Sequence, residues 1–359
     1  MNLFLIFFTI AESSKSSSKL QPKETYSKIL QQEISIIEAT RKLEDTSKSY
    51  TYQPQRQSYS PKQSGISQDE VVENPRYTGP APENSDDETD DDDSGLGANI
   101  SPHSTSVEEK AYKFRHFNGR RYHAEQSNGT EYHLPNDELE LDRLDLQHNI
   151  FLLTLKGSLH CAPLAKNIKS VLDVGTGTGI WAIDFADIHP ACIVIGTDLS
   201  PIQPAYVPPN CRFYVEDAEE PWNFDQPFDY IHVRMLVASI RNWENFFHQA
   251  YQNLNPGGYI ELQDMNFLPR CDDGTASPDS PIMQWSRYLI EATRNLGIDV
   301  EVSNSFPGLL AEAGFRDIKG ETHTWPVKSW PKDKSMKKLG LWMMENFLKG
   351  VQGLVWHIL

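Results

Sequence analysis

The chain has 359 residues and a formal net charge of −17 at pH 7. This length accommodates two domains, or one domain with long extensions. The acidic balance and the lack of a basic stripe in the sequence argue against direct nucleic-acid binding. The four cysteines are widely spaced and form no CxxC pair, which favours free thiols over a disulfide framework or a zinc site, so we expect no bound metal.

The N-terminal end is strongly apolar, with the run "LFLIFFTI" from Leu3 to Ile10. This run is shorter than the about 20 residues that a membrane-spanning helix needs. It also lacks a preceding Lys or Arg and a good cleavage site, so a secretion signal is disfavoured. We therefore expect a stray start, no membrane anchor, and a cytoplasmic or nuclear protein.

Residues 11 to about 110 are rich in Ser, Gln, Lys and Pro and poor in core-forming side chains. We predict a disordered extension over residues 1–110. Its acidic run "SDDETDDDDS" (Ser85 to Ser94) is interpreted as a solvated linker, with a contact to a basic partner as the alternative. Pro22 and the helical spacing of the apolar residues after it predict a short helix at 22–43, which could bind a partner.

Core-forming residues become dense from residue 111, and we place a globular domain at 111–330 and a C-terminal helical tail at 331–359. The domain opens on "LPNDELELDRLDLQHNIFLLTLKG". Asp137 and Glu140 have the spacing of a capping box, and Gly157 stands where a helix would end. These signals predict a helix that packs beside a sheet.

Five short apolar segments follow, and amphipathic stretches separate them. This alternation predicts an α/β fold with a Rossmann-like, doubly wound and mostly parallel sheet. The "NPGG" stretch (Asn255 to Gly258) is predicted to end the helix before the fifth strand. The predicted strands are Ser170 to Val174, Cys192 to Thr197, Cys211 to Val215, Phe228 to Val233 and Tyr259 to Gln263.

Alternating glycines follow the first predicted strand in "VLDVGTGTGIWAIDFAD". Ligands of doubly wound sheets bind beyond the carboxyl ends of the strands, where this turn would lie. Gly175, Gly177 and Gly179 would let a ligand approach the backbone, and the amides that open the helix at Gly179 would favour a carboxylate or phosphate. The dinucleotide fingerprint requires glycine at position 180, which is Ile180, so an NAD-dependent dehydrogenase is the weaker alternative.

Acidic residues stand at three successive strand ends. Asp173 lies two residues before the first glycine and suits a ligand that carries an ammonium or sulfonium group. Asp198 follows about 20 residues later, the distance at which a carboxylate accepts hydrogen bonds from a ribose diol. Asp217 could accept from an exocyclic adenine amine. A nucleoside with a charged amino-acid arm fits all three, and S-adenosylmethionine is such a ligand.

At these residues the chain resembles the class I S-adenosylmethionine-dependent methyltransferases, and within them the fungal TAM-domain or LaeA-like group. The resemblance covers roughly residues 112–330 and extends to the blocks "NGRRYHAEQSNGTEYHLPNDELELDRLDLQH", "GTDLSPIQP", "NCRFYVEDAEEPWNF", "FDYIHVRML" and "LNPGGYIELQD". It implies that the methionine arm is held by Asp173 and the three glycines, the ribose by Asp198, and the adenine edge by Asp217 and Ala218. It also implies a lid helix that carries Arg143, Gln147 and His148.

Methyl transfer from such a cofactor is a direct displacement, so no dedicated catalytic side chain is required and none is assigned. The segment "HVRMLVASIRNW" lacks the Asp/Asn-Pro-Pro-aromatic motif of nucleic-acid amino methyltransferases. We therefore expect a small-molecule or protein acceptor. The resemblance leaves open a second reading, a non-catalytic cofactor-binding subunit of a velvet-type regulatory complex of secondary metabolism, with regulatory protein partners.

The C-terminal part departs from the family pattern. "GFRDIKGETHTWPV" (Gly314 to Val327) predicts a sixth strand, and "SMKKLGLWMMENFLKGVQGLVWHIL" predicts one more helix. Family members usually add a final antiparallel strand between the fifth and sixth, and no candidate for it follows. The sequence therefore predicts an incomplete sheet edge and a truncated C-terminus.

Overall fold

The computed structural model describes residues 2–5, 114–123, 132–271 and 274–358. The helix expected at 22–43, the acidic run and most of the extension predicted to be disordered lie outside these residues. Within the described part of the chain, none of the helices has the length and apolar character needed to cross a bilayer.

One mixed sheet organises the molecule, and a small hairpin stands apart from it. The sheet strands are β1 (Asn2–Leu5), β4 (Ser170–Val174), β5 (Ile193–Asp198), β6 (Cys211–Val215), β7 (Phe228–Arg234), β8 (Leu254–Asn266) and β9 (Glu321–Thr324); the hairpin pairs β2 (Phe114–Phe117) with β3 (Arg120–His123). The helices are α1 (Glu138–Thr154), α2 (Ile180–Ile188), α3 (Trp243–Gln252), α4 (Pro281–Asn295), α5 (Phe306–Ala313) and α6 (Lys334–Ile358).

The sheet has the strand order β6-β5-β4-β7-β8-β1-β9. Strands β4 to β8 are parallel, so the five predicted strands and the doubly wound, mostly parallel sheet are confirmed. Strand order reverses between β4 and β7, the place where open α/β sheets bind ligands. The carboxyl ends of β4, β5 and β7 therefore converge on one crevice.

The position between β8 and β9 is filled by the N-terminal segment. Strand β1 pairs antiparallel with both neighbours, with Asn2 opposite Asn266 on one side and Thr324 on the other. The expectation of an incomplete sheet edge was therefore wrong. Because β8 and β9 are parallel and leave facing rows of backbone donors and acceptors, an apolar segment from anywhere in the chain can complete the ladder.

The junction of α3 and β8 also differs from the prediction. Helix α3 ends at Gln252, and the "NPGG" stretch lies inside the first part of β8. The register shifts there, from Phe228 opposite Leu254 to Tyr230 opposite Tyr259. The extra residues on β8 are accommodated as an irregularity in the ladder, with Gly257 at a φ of 82°.

Helix α1 forms as its sequence predicts. The Asp137 side chain caps it by accepting the Glu140 N–H at 3.1 Å, and Gly157 follows its end with a φ of 90°. The same Asp137 carboxylate accepts from Arg120 Nε at 2.6 Å, which ties the hairpin to the start of α1. Helix α6 packs against α1, so the segment predicted as a C-terminal tail is in contact with the domain body.

The two faces of the sheet carry separate apolar clusters. Trp181 and Phe185 of α2 pack on one face against β4, β5 and β6. Phe246 and Phe247 of α3 pack on the other face, together with α1, α4 and α6. Both faces are covered, as a parallel sheet requires.

The pairing of β1 can be tested by proline substitution. Leu3→Pro removes a backbone N–H from a strand that is bonded on both sides, so we expect the free energy of unfolding to fall by about 1 to 3 kcal/mol relative to Leu3→Val. Urea unfolding of the two variants measures the difference. Equal stabilities would show that this segment adds nothing to the sheet.

Candidate active site

Two adjoining cavities open at the carboxyl ends of the parallel strands. The larger extends from the glycine turn after β4 to α1, α4 and α6. The smaller lies on the β6 side. They share Gly175, Asp198 and Leu236, so Asp198 stands where the two spaces meet.

The structure brings most of the predicted site residues together. Gly175 and Asp198 line both cavities, Asp217 and Ala218 line the smaller one, and Gly177, Arg143 and Gln147 line the larger one. Asp173 and Gly179 line neither. The role of each residue toward a ligand stays a prediction.

Asp198 is half-buried and fixes the glycine turn. Its carboxylate accepts the Gly177 N–H at 2.8 Å and the Ser200 N–H at 2.9 Å. Burial raises the pKa of Asp198 to about 6, although these two backbone donors act in the opposite direction. A carboxylate has about four lone-pair sites, so acceptor capacity remains for a ligand.

Asp173 lies beneath the turn rather than in the cavities. It accepts a hydrogen bond from the Thr176 hydroxyl at 2.5 Å, and its second oxygen lies 2.7 Å from Nδ1 of His232 on β7. The His232 ring stacks on Trp181 at a centroid distance of 3.7 Å. These contacts make Asp173 a link between the turn and β7. That Asp173 also binds a cationic group of the ligand stays a prediction.

The backbone amides of the turn are largely used within the protein. The Thr176 N–H donates to the Thr197 carbonyl at 2.9 Å, and the Gly179 N–H donates to the Thr176 carbonyl at 3.0 Å. The Gly177 N–H is held by Asp198. The Gly179 N–H thus has a partner inside the turn, and the expectation that the amides opening α2 favour an anionic group stays a prediction.

Gly179 has a different structural reason to be glycine. Its φ is 77°, and a Cβ at this position would lie 2.4 Å from Cζ of Phe213. Phe213 is fully buried on β6, so its ring can move away only by displacing its neighbours. Gly179 therefore allows α2 to begin directly against the sheet.

The adenine side of the prediction corresponds to the smaller cavity. Burial raises the pKa of Asp217, whose carboxylate accepts the Glu219 N–H at 2.9 Å. The Ala218 carbonyl accepts from Nε1 of Trp222 at 3.0 Å, so Trp222 closes a turn beside this cavity.

A buried carboxylate fixes the loop that lines both cavities. Asp264 on β8 accepts the Leu236 N–H at 2.9 Å and the Val237 N–H at 3.0 Å. Met235 at the start of this loop has a φ of 58°, a strained value for a residue with a side chain. Burial raises the pKa of Asp264 to about 7, against the effect of these donors.

Arg143 joins two helices in the wall of the larger cavity. Arg143 on α1 contacts Glu140 through Nε at 3.0 Å and Nη2 at 2.7 Å, and Nη1 donates to Asn346 of α6 at 2.9 Å. Gln147 is buried one turn further along α1. Helix α6 thus contributes directly to the cavity wall, with Met343, Asn346, Phe347 and Gly350.

Comparison with known proteins identifies the family. A family model described as "Methyltransferase domain" matches residues 146–319. "Methyltransferase pytC" of Aspergillus terreus is 40% identical over 266 residues, which cover 74% of this chain and 81% of that protein. "Secondary metabolism regulator LAE1" of Cochliobolus heterostrophus is 39% identical over 243 residues, 66% of this chain and 78% of that protein.

The chain is a class I methyltransferase of the fungal LaeA-like group. Its cofactor is S-adenosylmethionine, and the alternative of an NAD-dependent dehydrogenase is set aside. The narrower TAM-domain label stays a prediction. Among solved structures, phosphoethanolamine N-methyltransferase 2 of Haemonchus contortus is 22% identical and covers 58% of this chain and 46% of that one, with a TM-score of 0.39, too low for a functional comparison.

Sequence reasoning missed several residues that line or support these cavities. Asp264 ends the quoted block "LNPGGYIELQD", and its place at the end of a parallel strand could have marked it. Arg234 ends β7 within "FDYIHVRML" and lines the larger cavity. The cavity-lining residues of α6 recur at helical spacing, 343, 346, 347 and 350, which could have indicated a buried face in a segment interpreted as a tail.

A glycine pair tests the packing role of Gly179. Gly157→Ala should cost only the strain of a positive φ, about 1 kcal/mol, because nothing lies within 4 Å of its Cβ. Gly179→Ala carries the same strain and also meets Phe213, so we expect about 1 to 3 kcal/mol more. Denaturant unfolding measures both. If the Gly179→Ala protein were as stable as the Gly157→Ala protein but bound the cofactor more weakly, Gly179 would be a ligand-binding residue and its packing role would be rejected.

Proposed function

We propose that the two cavities together hold one molecule of S-adenosylmethionine, with its adenosine toward β5 and β6 and its methionine arm beneath α1. The observation that carries this proposal is the position of Asp198. Its carboxylate lies at the junction of the cavities, is oriented by two backbone N–H groups and retains lone pairs for a ribose diol.

The remaining residues fit the two ends of this cofactor. Gly175 and Gly177 present bare backbone, and a side chain on Gly175 would have to displace Leu236, whose Cδ2 lies 2.5 Å from the position of its Cβ. Asp217 and Ala218 line the smaller cavity, where they would face the adenine edge. Arg143 uses three of its five N–H groups on Glu140 and Asn346, which leaves donors for the cofactor carboxylate.

S-adenosylmethionine supplies a methyl group that is already activated on sulfur. The protein's contribution is alignment, which in favourable cases is worth about 7–11 kcal/mol. The loop after β7 is suited to this task because Asp264 holds two of its amides and it lines both cavities. We propose that this loop sets the position of the acceptor, which is a small molecule or a protein side chain.

A regulatory role is the second candidate. It is favoured by the relatives named as secondary metabolism regulators, LAE1 and the laeA of Aspergillus flavus, the latter 38% identical over 252 residues. In this reading the protein binds the cofactor as part of a complex with regulatory proteins, in the nucleus or the cytoplasm, and methylates no separate acceptor. Asp198 serves cofactor binding in both readings.

The pH dependence of cofactor binding tests Asp198. Its pKa is raised, so it takes up a proton as the pH falls through about 6, and that proton must leave before the carboxylate can accept from both ribose hydroxyls. We expect the affinity for S-adenosylmethionine to be constant near pH 8 and to weaken below pH 6, by up to about tenfold per pH unit. Calorimetric titration across this range measures it.

Variants of Asp198 show whether this residue, rather than another buried acid, causes the pH dependence of cofactor binding. Asp198→Asn should bind weakly at every pH and lose the pH dependence, and Asp198→Ala should abolish binding. NAD should give no signal with any of these proteins. A pH profile unchanged in Asp198→Asn would assign the dependence to Asp217 or Asp264 and remove the main support for the proposal.

Transfer of radiolabel distinguishes the two candidate functions. Purified protein is incubated with labelled S-adenosylmethionine and fungal cell extract, with the Asp198→Ala protein as control. The methyltransferase reading predicts label in a small-molecule or protein fraction that the control does not produce. Cofactor binding without any labelled acceptor would favour the regulatory subunit.

A further inference from the structure

The wall of the larger cavity extends from the glycine turn to the ends of β7 and β8, to α4 and to α6, and the part bounded by these last elements is here called the acceptor chamber. Its walls are Arg234 at the end of β7, Met265 and Phe267 at the end of β8, Trp285 of α4, and Met343 and Phe347 of α6. All but Arg234 are apolar or aromatic. Trp285 and Phe347 meet edge to face, with ring centroids 5.0 Å apart.

Arg234 is the cation of this chamber, and its partners are neutral. Its Nη1 donates to Nδ1 of His148 at 3.2 Å, and its guanidinium lies 5.0 Å from the centre of the Phe151 ring. Because arginine can only donate, Nδ1 of His148 accepts, and Nε2 carries the proton that it donates to Asp184 at 2.9 Å. His148 is therefore the neutral tautomer.

No carboxylate of the described residues lies within 4 Å of the Arg234 guanidinium. Burial lowers the pKa of Arg234 to about 10, which still leaves it charged at pH 7. Arg234 is half-buried, and the carboxylates of Asp173 and Asp184 act on it through space without a direct ion pair. A bound cofactor adds the positive charge of its sulfonium to the same cavity. An anionic ligand would give Arg234 the direct ion pair that no carboxylate of the described residues makes with it.

We propose that the acceptor chamber binds an apolar, ring-containing small molecule whose anionic oxygen pairs with Arg234 and receives the methyl group. The oxygen belongs to a carboxylate, an enolate or a phenolate. This proposal rests on the proposed function and narrows its acceptor. A lysine side chain or another protonated amine is a poor acceptor here, because its charge would face that of Arg234.

The transfer step balances without a catalytic base. The acceptor oxygen is already an anion, and it forms a bond to the methyl carbon while the carbon–sulfur bond breaks and its electron pair returns to sulfur. The products are a methyl ether or ester and the neutral thioether nucleoside, and no proton moves. Arg234 stabilises the acceptor as its oxygen anion and positions it.

The aromatic wall residues would bind the ring system of the acceptor, while Arg234 binds its anionic oxygen. Trp285 is 7% exposed, and its indole Nε1 has no acceptor among the described residues. A carbonyl or ether oxygen on the bound molecule would satisfy this donor. Rings of Trp and Phe at an edge-to-face angle favour a flat, aromatic or conjugated body.

Binding of matched probes tests the proposal without turnover. The full chain is saturated with S-adenosylhomocysteine and titrated calorimetrically with 2-naphthoate and with its neutral analogue 2-naphthamide. We expect naphthoate to bind at least about tenfold more tightly, since hydrogen bonds between charged groups are stronger than neutral ones. Arg234→Met should abolish this preference, and Arg234→Lys should retain part of it.

Arg294→Met serves as the matched control, because Arg294 is exposed and pairs with Glu301 away from the cavities. Thermal unfolding with and without S-adenosylhomocysteine shows whether each variant is folded; if Arg234→Met is not, the wild-type preference and the Arg234→Lys protein decide. Equal binding of the two probes to the wild type, or an unchanged preference in a folded Arg234 variant, would overturn the proposal.

Two further outcomes separate this proposal from the function it rests on. A more than tenfold loss of S-adenosylhomocysteine affinity in Arg234→Met would assign Arg234 to the cofactor carboxylate and overturn the acceptor role alone. Failure of the wild-type protein to bind S-adenosylhomocysteine would reject the proposed cofactor site itself.

Discussion

The site depends on a set of hydrogen bonds that hold the glycine turn between three parallel strands. Asp198 at the end of β5 takes the Gly177 N–H, Asp173 in β4 takes the Thr176 hydroxyl, and Asp173 also meets His232 on β7. These carboxylates therefore make structural hydrogen bonds within the protein, whether or not a ligand is bound. A turn with so little side-chain bulk would otherwise have many conformations, and the acids select one.

Much of the fold was predictable because local and global signals agree. The five parallel strands are short apolar runs, α1 carries its own cap at Asp137, and three acids end three strands. Five of the predicted site residues, Gly175, Gly177, Asp198, Asp217 and Ala218, line the cavities for the same reason, since the carboxyl ends of neighbouring parallel strands meet at one edge. Such residues can be located from strand boundaries alone.

The failures share another cause, which is contact between segments far apart in the chain. No periodicity relates the N-terminal run to β9, so the strand that completes the sheet was sought after the sixth strand rather than before the first. The acceptor chamber is likewise built from α4, α6 and the ends of β7 and β8. The packing reason for Gly179 could not be predicted either. A side chain there would collide with Phe213, which lies on a strand two positions away in the sheet order.

Strand β1 has a consequence for how the molecule is made. Asn2 pairs with Asn266 and Thr324, so this segment gains its partners only after synthesis has passed those distant residues. Contacts of such high contact order close late, after the entropy of a very long loop has been overcome. Until then a nascent chain exposes an unpaired apolar segment and two open strand edges. The longer it stays in that state, the more it depends on chaperones to prevent aggregation.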